Sequence, residues 1–181
     1  CCWRPTAIDE IPHVRRSPLT AMVTITEGCS NFCSYCIVPY ARGPMRSRAP
    51  ELILREVDDA IESGALEVLL LGQNVNAYGT DRIEFDGFAK LLSRVAETGI
   101  PRVRFTTSHP RDMTDDVLDA MASRTNLCNH LHLAVQSGSD RILAAMNRGY
   151  TVERYLNIVD GARERIGGLN ITTDLIVGYP G

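Results

Sequence analysis

The sequence predicts an α/β fold in which five strands alternate with helices and form a parallel sheet. Short apolar, β-branched runs recur along the chain, and segments with helical periodicity lie between them. Each strand-like run is followed by a polar or glycine-containing loop. Strands that alternate with helices imply right-handed crossover connections. Five such units fit either an open doubly wound sheet or an incomplete (β/α) barrel, and the pattern leaves both architectures open.

The predicted strands follow one another at regular intervals and differ in character. The first is β-branched, and the second, Glu-Val-Leu-Leu-Leu-Gly, is a continuous apolar run typical of a strand buried on both faces. The five strands are predicted over 20–27, 67–72, 103–107, 131–135 and 171–177.

The predicted helices carry apolar residues at helical spacing. In the first helix these are Leu52, Ile53, Val57, Ala60 and Ile61, and Gly64 is its C-terminal stop. The segment between Cys36 and Pro50 contains two further prolines and a glycine and is predicted as loop. The five helices are predicted over 50–63, 86–98, 114–124, 140–146 and 151–166.

Composition indicates an ordinary globular domain. The chain has 181 residues, 44% apolar and 23% charged, with a net charge of −3. This charge does not indicate nucleic-acid binding, and no apolar run reaches the length of a membrane span. We expect residues 1–19, polar and rich in proline, to be a linker from an N-terminal domain, and 20–181 to be a core that is incomplete at its C-terminus.

Polar residues gather where the predicted strands end. Cysteines follow the first strand, amides the second, Ser108 and His109 the third, and Gln136 and Ser137 the fourth. The carboxyl ends of parallel strands share one edge, and in α/β folds that edge carries the active site. We therefore expect these residues to surround a common site.

Three cysteines, Cys29, Cys33 and Cys36, dominate this edge within eight residues. A disulfide among them would leave one thiol over, and a structural zinc site requires a fourth protein ligand. A 4Fe-4S cluster is held by cysteine thiolates, and three of them would leave one iron open to another molecule. In the absence of an export signal, this reading also predicts a reducing, cytoplasmic location.

The spacing Cys29-x3-Cys33-x2-Cys36, with Tyr35 before the last cysteine, resembles the radical S-adenosylmethionine superfamily. The surrounding Glu27-to-Gly43 segment is similar to the methylthiotransferase branch, and Leu71-Gly-Gln-Asn-Val-Asn-Ala-Tyr78 to its tRNA-modifying, MiaB-type members. The stretches 105–110, 132–143 and 174–181 continue the likeness. The resemblance implies a partial (β/α)6 TIM-like barrel, here truncated after its fifth strand.

The resemblance also implies an activity. A reduced 4Fe-4S cluster would cleave S-adenosylmethionine to a 5′-deoxyadenosyl radical, for methylthiolation of C2 of N6-isopentenyladenosine at position 37 in the anticodon loop of tRNA. A second 4Fe-4S cluster and an RNA-binding TRAM domain would lie outside this chain, so the fragment is not expected to complete the reaction alone. Further expectations are a flavodoxin or ferredoxin as reductant, a monomeric full-length protein and no membrane. The alternatives are the sister branch that modifies a ribosomal protein, a zinc-stabilised binding module without catalysis and a passive electron-transfer protein.

The resemblance extends to individual residues. It implies cluster ligation by the three cysteines and cofactor binding by Tyr35, Gln73, Asn74, Gln136, Ser137 and Gly178. Substrate or cofactor contacts are expected at Arg42, Arg48, Asn76, His109 and Arg141. Each has a plainer interpretation: turn chemistry for the amides, helix capping for Ser137, salt bridges or surface charge for the arginines, and a structural histidine.

Overall fold

A computed structural model describes residues 17–181, and residues 1–16, which include most of the predicted linker, lie outside the described part. The strands are β1 (Thr20–Thr24), β2 (Thr26–Glu27), β3 (Arg46–Ser47), β4 (Glu67–Leu71), β5 (Arg102–Thr106), β6 (His130–His132) and β7 (Asn170–Thr172). The helices are α1 (Val38–Arg42), α2 (Pro50–Glu62), α3 (Gly87–Glu97), α4 (Asp115–Ser123), α5 (Asp140–Ala145) and α6 (Val152–Arg165).

The parallel strands are neighbours in the order in which they occur along the chain. β1 pairs with β4 and β4 with β5, all in parallel, and β6 pairs with β7 in the same sense. A parallel bridge between Ser108 and Leu133 joins the ends of the β5 and β6 segments. A doubly wound sheet reverses its strand order at a switch point, whereas a barrel does not. The observed order is therefore that of a partial barrel, and within residues 17–181 it is not closed.

The predicted first strand is interrupted, and the loop after the cysteines contains unpredicted structure. Chain 20–27 divides at Ile25, because β2 turns away to pair antiparallel with β3. A salt bridge of 2.8 Å between Arg46 and Glu27 supports this pairing. The short helix α1 occupies the segment that was predicted as loop. Two-residue strands and single-turn helices have too few residues for a periodic signal.

The last two strands are shorter than predicted, for a reason visible at Thr173. Its hydroxyl donates to the Leu133 carbonyl oxygen at 2.8 Å and accepts from the Val135 N–H at 2.9 Å. A side chain thus takes the place of backbone partners, and the regular ladder stops at Thr172. Beyond it, a single bridge between Gln136 and Leu175 continues the pairing.

The core lies between the parallel strands and the helices that cover one of their faces. Val23, Val68, Leu70 and Leu131 of the strands are fully buried, as are Ile53 and Val57 of α2. Alternate residues of β4 are buried most deeply, which fits strands packed between a helical layer and a polar interior. Within residues 17–181, no helix is both long and apolar enough to cross a membrane.

Candidate functional site

The cysteine loop is fixed to the segment that follows it. Gly28 has φ +74, and a Cβ atom at this position would lie 2.3 Å from the carbonyl oxygen of Pro44. The Cys29 N–H donates to the Gly43 carbonyl oxygen at 3.1 Å, and the Cys36 N–H donates to that of Cys33 at 2.9 Å. Only glycine allows this approach of the two backbones, so Gly28 determines where the loop begins.

The C-terminal end of α5 supports the other side of the loop. The Ser34 N–H donates to the Met146 carbonyl oxygen at 3.1 Å, and the Ser34 hydroxyl donates to that of Ala145 at 2.8 Å. The side-chain amide of Asn147 donates to the Phe32 carbonyl oxygen at 3.0 Å. Because α5 and the loop are more than 100 residues apart in the chain, only the tertiary fold brings them together.

The three cysteines line one pocket of about 390 Å³ at the carboxyl edge of the parallel strands. Strand ends and loops supply the other walls of this pocket, which we call the cysteine pocket. Its lining consists of Cys29, Asn31, Cys33, Tyr35, Cys36, Val38, Gly72, Gln73, Thr107, Ser108, His109, Ala134, Gln136, Arg148 and Asp174.

A second pocket of about 380 Å³ adjoins the first and shares Gly72, Gln73 and Thr107 with it. We call it the strand-end pocket. It is lined by Thr24, Thr26, Glu27, Arg42, Leu71, Gly72, Gln73, Thr106 and Thr107. The two pockets together form a continuous polar edge above β1, β4 and β5, which is the position expected for an active site in a parallel α/β fold.

Several buried polar atoms in these pockets lack a hydrogen-bond partner. They are Thr26 Oγ1, Gln73 Oε1, Ser108 Oγ and His109 Nε2. Buried polar groups in folded proteins are nearly always paired, so a group of such atoms around one space indicates a missing partner.

The three thiols line one pocket but do not converge on a single-ion site. Thiolates that share one tetrahedral zinc ion lie about 4 Å apart, as Zn–S bonds of roughly 2.3 Å require. Within residues 17–181, no three cysteine, histidine or carboxylate side chains converge closely enough to hold one ion. The three thiols line a shared pocket, and cysteine thiolates are the ligands of a 4Fe-4S cluster.

The surroundings affect the protonation of two groups in the pocket. Burial raises the pKa of the Cys29 thiol, and the neighbouring Cys33 and Cys36 raise it further. Burial lowers the pKa of His109 to about 3, and the positive charge of Arg148 lowers it further. Since the neutral His109 ring accepts from the Arg111 N–H at Nδ1 over 3.1 Å, its proton is on the unpartnered Nε2. His109, which lines the cysteine pocket, therefore carries an N–H donor at its buried Nε2.

Seven of the residues predicted from sequence line the cysteine pocket. These are the three cysteines, Tyr35, Gln73, His109 and Gln136. Gln136 has φ +66, which is uncommon for a residue other than glycine, and its backbone bonds to Asp174 and Ile176 on either side. Arg42 is exposed and lines the strand-end pocket.

The other predicted residues do not line either pocket. Asn74 donates to the Asp112 carboxylate at 2.5 Å, and Asn76 bonds to the backbone of His109. Arg48 is 3% exposed and forms a 2.7 Å salt bridge with Glu56. Ser137 accepts from the Ser139 N–H at the start of α5. The structure also places exposed Arg141 on α5 and Gly178 near the C-terminus outside the pockets, and their binding roles stay predictions.

Sequence reasoning missed several residues of the site. Asn31 and Thr107 flank positions that were singled out, and Asp174 lies just after β7, where the polar strand-end pattern could have indicated it. Ser108, which was expected at the common site, does line the pocket. Arg148 had no such signal, because it follows a helix as surface arginines commonly do. It is nevertheless 4% exposed and lies against Cys33.

The sequence profile of the Radical SAM superfamily matches residues 23–181, which is most of the chain. The chain therefore belongs to the radical SAM superfamily, and the cysteine loop and all of the partial barrel except the start of β1 lie within the matched region.

Among curated proteins, the chain is similar to tRNA-2-methylthio-N(6)-dimethylallyladenosine synthases. It is 54% identical to that of Carboxydothermus hydrogenoformans over 96% of this chain and 40% of the relative. With that of Moorella thermoacetica the identity is 51%, over 96% of this chain and 39% of the relative. The chain thus spans about two fifths of the length of these relatives.

Solved structures of radical S-adenosylmethionine enzymes share the fold at low sequence identity. The methyltransferase TsrM from Kitasatospora setae, described with cobalamin and a [4Fe-4S] cluster bound, matches with a TM-score of 0.72 at 18% identity, over 90% of this chain and 32% of TsrM. OxsB, a cobalamin-dependent enzyme, matches with a TM-score of 0.65 at 16% identity, over 86% of this chain and 23% of OxsB. At such identities the likeness concerns the fold alone.

Proposed function

We propose that this chain is the radical S-adenosylmethionine core of a tRNA methylthiotransferase acting on N6-isopentenylated adenosine in the anticodon loop. The observation that carries the proposal is the cysteine pocket: three thiols and several unpartnered polar atoms surround one space at the carboxyl edge of the sheet. The 54% identity to a tRNA-2-methylthio-N(6)-dimethylallyladenosine synthase supplies the substrate class.

The residues of the pocket have separate tasks in this proposal. Cys29, Cys33 and Cys36 would hold a 4Fe-4S cluster, which supplies an electron for the cleavage of S-adenosylmethionine when both are bound. Gln73 Oε1 would accept a hydrogen bond from the cofactor, and His109 Nε2 would donate one. Tyr35, half-exposed at the rim, would pack its ring against an aromatic base.

The strand-end pocket is the proposed place of the reacting nucleoside. It shares three residues with the cysteine pocket, so a base bound there lies beside the cofactor. Exposed Arg42 at its rim would contact an RNA phosphate. We further propose a flavodoxin or ferredoxin as the electron donor, a monomeric full-length protein and a cytoplasmic location.

The cofactor part of the proposal is tested by anaerobic reconstitution of the full-length protein with iron and sulfide. The wild type should bind about four more irons per chain than a Cys29→Ala/Cys33→Ala/Cys36→Ala variant. Cys128→Ser is the matched control, since Cys128 is a free cysteine outside both pockets. Stoichiometric zinc in place of iron would overturn the proposal, and a cluster spectrum unchanged by S-adenosylmethionine would indicate a passive electron-transfer protein.

The substrate part is tested by nucleoside analysis. A strain without the gene should lack 2-methylthio-N6-isopentenyladenosine in its tRNA, and the wild-type gene should restore it, whereas the triple cysteine variant should not. Normal tRNA together with loss of a methylthio group from a ribosomal protein would assign the chain to the sister branch instead.

A further inference from the structure

Arg148 is a buried cation in the wall of the cysteine pocket. Its side chain donates through all three nitrogens to protein acceptors. Nη2 donates to the Ala134 carbonyl oxygen at 2.6 Å, Nε to the Tyr150 hydroxyl at 3.4 Å, and Nη1 to the Tyr35 hydroxyl at 3.2 Å. Nη1 also donates to Sγ of Cys33 at 3.5 Å. The guanidinium is thus held in place by the protein and directed at one of the three thiols.

This cation lacks a carboxylate counter-ion in the part of the chain that the structure describes. The salt bridges within residues 17–181 involve other arginines or His132, and none includes Arg148. Its tyrosine partners are neutral at physiological pH. A buried charge without an opposite charge is costly. Cys33 is the thiol in contact with this cation, and a cluster held by Cys33 would bring the negative charge that balances it.

Packing keeps Arg148 at this position. The Tyr150 ring lies under the guanidinium, with its centroid 5.4 Å from the Arg148 Cζ, and the Tyr150 hydroxyl donates to the Val135 carbonyl oxygen at 2.5 Å. The Arg148 N–H bonds to the Leu143 carbonyl oxygen at the end of α5, which also supports the cysteine loop. The same end of α5 therefore holds both Arg148 and the loop that contains Cys33.

We propose that Arg148 is a positioning residue that raises the reduction potential of the cluster through its hydrogen bond to Cys33. The inference rests on the proposed cluster site. Reduction adds an electron and hence negative charge to the thiolate-bound centre, and a fixed positive charge at 3.5 Å from one sulfur stabilises the reduced form more than the oxidised form. Hydrogen bonds to the sulfurs are a recognised determinant of such potentials.

The test is a redox titration of the reconstituted full-length protein without S-adenosylmethionine, followed by EPR of the reduced cluster. The EPR signal of any cluster elsewhere in the full-length protein is measured in the triple cysteine variant and subtracted. Arg148→Gln should lower the reduced-to-oxidised ratio at a given potential roughly ten-fold, which equals about 59 mV for one electron. Arg148→Lys retains the charge but not the fork of donors, so its potential should lie between those of Arg148→Gln and the wild type.

The matched control is Arg163→Gln, which removes the same charge from an exposed position on α6 and should leave the potential unchanged. Equal potentials for the wild type and for Arg148→Gln with full iron content would overturn the inference while leaving the cluster site intact. Absence of iron from the wild type would instead overturn the proposed function.

A measurement on the wild type covers the case in which Arg148→Gln fails to fold. Protein labelled with ¹⁵N-arginine should show a weak ¹⁵N coupling in the pulsed EPR spectrum of the reduced cluster, and labelled Arg148→Lys should lose it. A wild-type spectrum without this coupling contradicts the hydrogen bond and with it the inference.

Discussion

Asn76 and His109 exchange two hydrogen bonds at the carboxyl edge of the sheet. The Asn76 side-chain amide donates to the His109 carbonyl oxygen, and the His109 N–H donates to Asn76 Oδ1, each at 3.0 Å. This pairing fixes the backbone of a residue whose ring lines the cysteine pocket. Asn76 therefore contributes to the site from behind it, without lining the pocket.

Replacing Asn76 by alanine should destabilise the protein by about 2 kcal/mol, because two buried backbone groups lose their partners at roughly 1–3 kcal/mol each before relaxation. The measurement is urea unfolding of the full-length protein. Asn157→Ala, an exposed change on α6, is the control and should cost less than about 0.5 kcal/mol. Equal stability of the two variants would contradict the structural role of the pair.

His109 should make stability depend on pH. The unfolded chain takes up a proton at this residue below about pH 6.5, whereas burial holds its folded pKa near 3. Stability is therefore lost as the pH falls from 6.5 towards 3. Between pH 7.5 and 5.5 the loss should be about 1.4 kcal/mol greater in the wild type than in His109→Gln, as measured by urea unfolding at each pH. Parallel pH profiles of the two proteins would show that the folded imidazole protonates normally.

Gly72 separates the end of β4 from Thr26, and an added methyl group has no room there. A Cβ atom at position 72 would lie 2.1 Å from Thr26 Oγ1 and 3.3 Å from Val75 Cγ1. Gly72→Ala should therefore cost about 1–3 kcal/mol. The double variant Gly72→Ala/Thr26→Ala removes the closest atom and should recover part of that loss, measured as a double-mutant cycle of thermal unfolding. Strict additivity of the two changes would refute the contact.

The buried salt bridge between Arg48 and Glu56 should be important for stability. The two side chains are 3% and 6% exposed and 2.7 Å apart, so Arg48→Ala breaks a buried charge pair, at a cost of about 3–5 kcal/mol. Arg82→Ala breaks an exposed pair with Glu84 and should cost less than about 1 kcal/mol. The measurement is the free energy of unfolding of both variants and of the wild type by chemical denaturation. A stable Arg48→Ala protein that loses S-adenosylmethionine binding would favour the ligand role predicted from the sequence.

The fold could be predicted as far as local patterns reach. The apolar run at 67–71 and the helical spacing at 50–62 have the periodicities of their elements, and both elements form where expected. The strands β2 and β3 are two residues long each and lie about 20 positions apart in the chain. They are too short for a periodic pattern, so the sequence carries no signal of their pairing. The end of β7 depends on the Thr173 hydroxyl, whose bonding to Leu133 has no counterpart in local sequence.

At the candidate site, too, some residues could be identified from local sequence and others only from contacts between distant segments. Cys29, Cys33 and Cys36 could be identified because their spacing within eight residues is itself chemical information. Arg148 could not, because its significance depends on a contact with Cys33 across 115 positions of the chain.

The sequence by itself determined the alternation of strands and helices, the three cysteines of the candidate site and the edge at which polar residues gather, because these follow from local periodicity and from residue type. Only the tertiary structure decided that the strands lie in chain order as a partial barrel. It also decided that Arg48 is sequestered in a salt bridge while Arg148 faces the thiols. Strand order and the burial of a charge arise from contacts between distant segments, and local sequence does not encode those contacts.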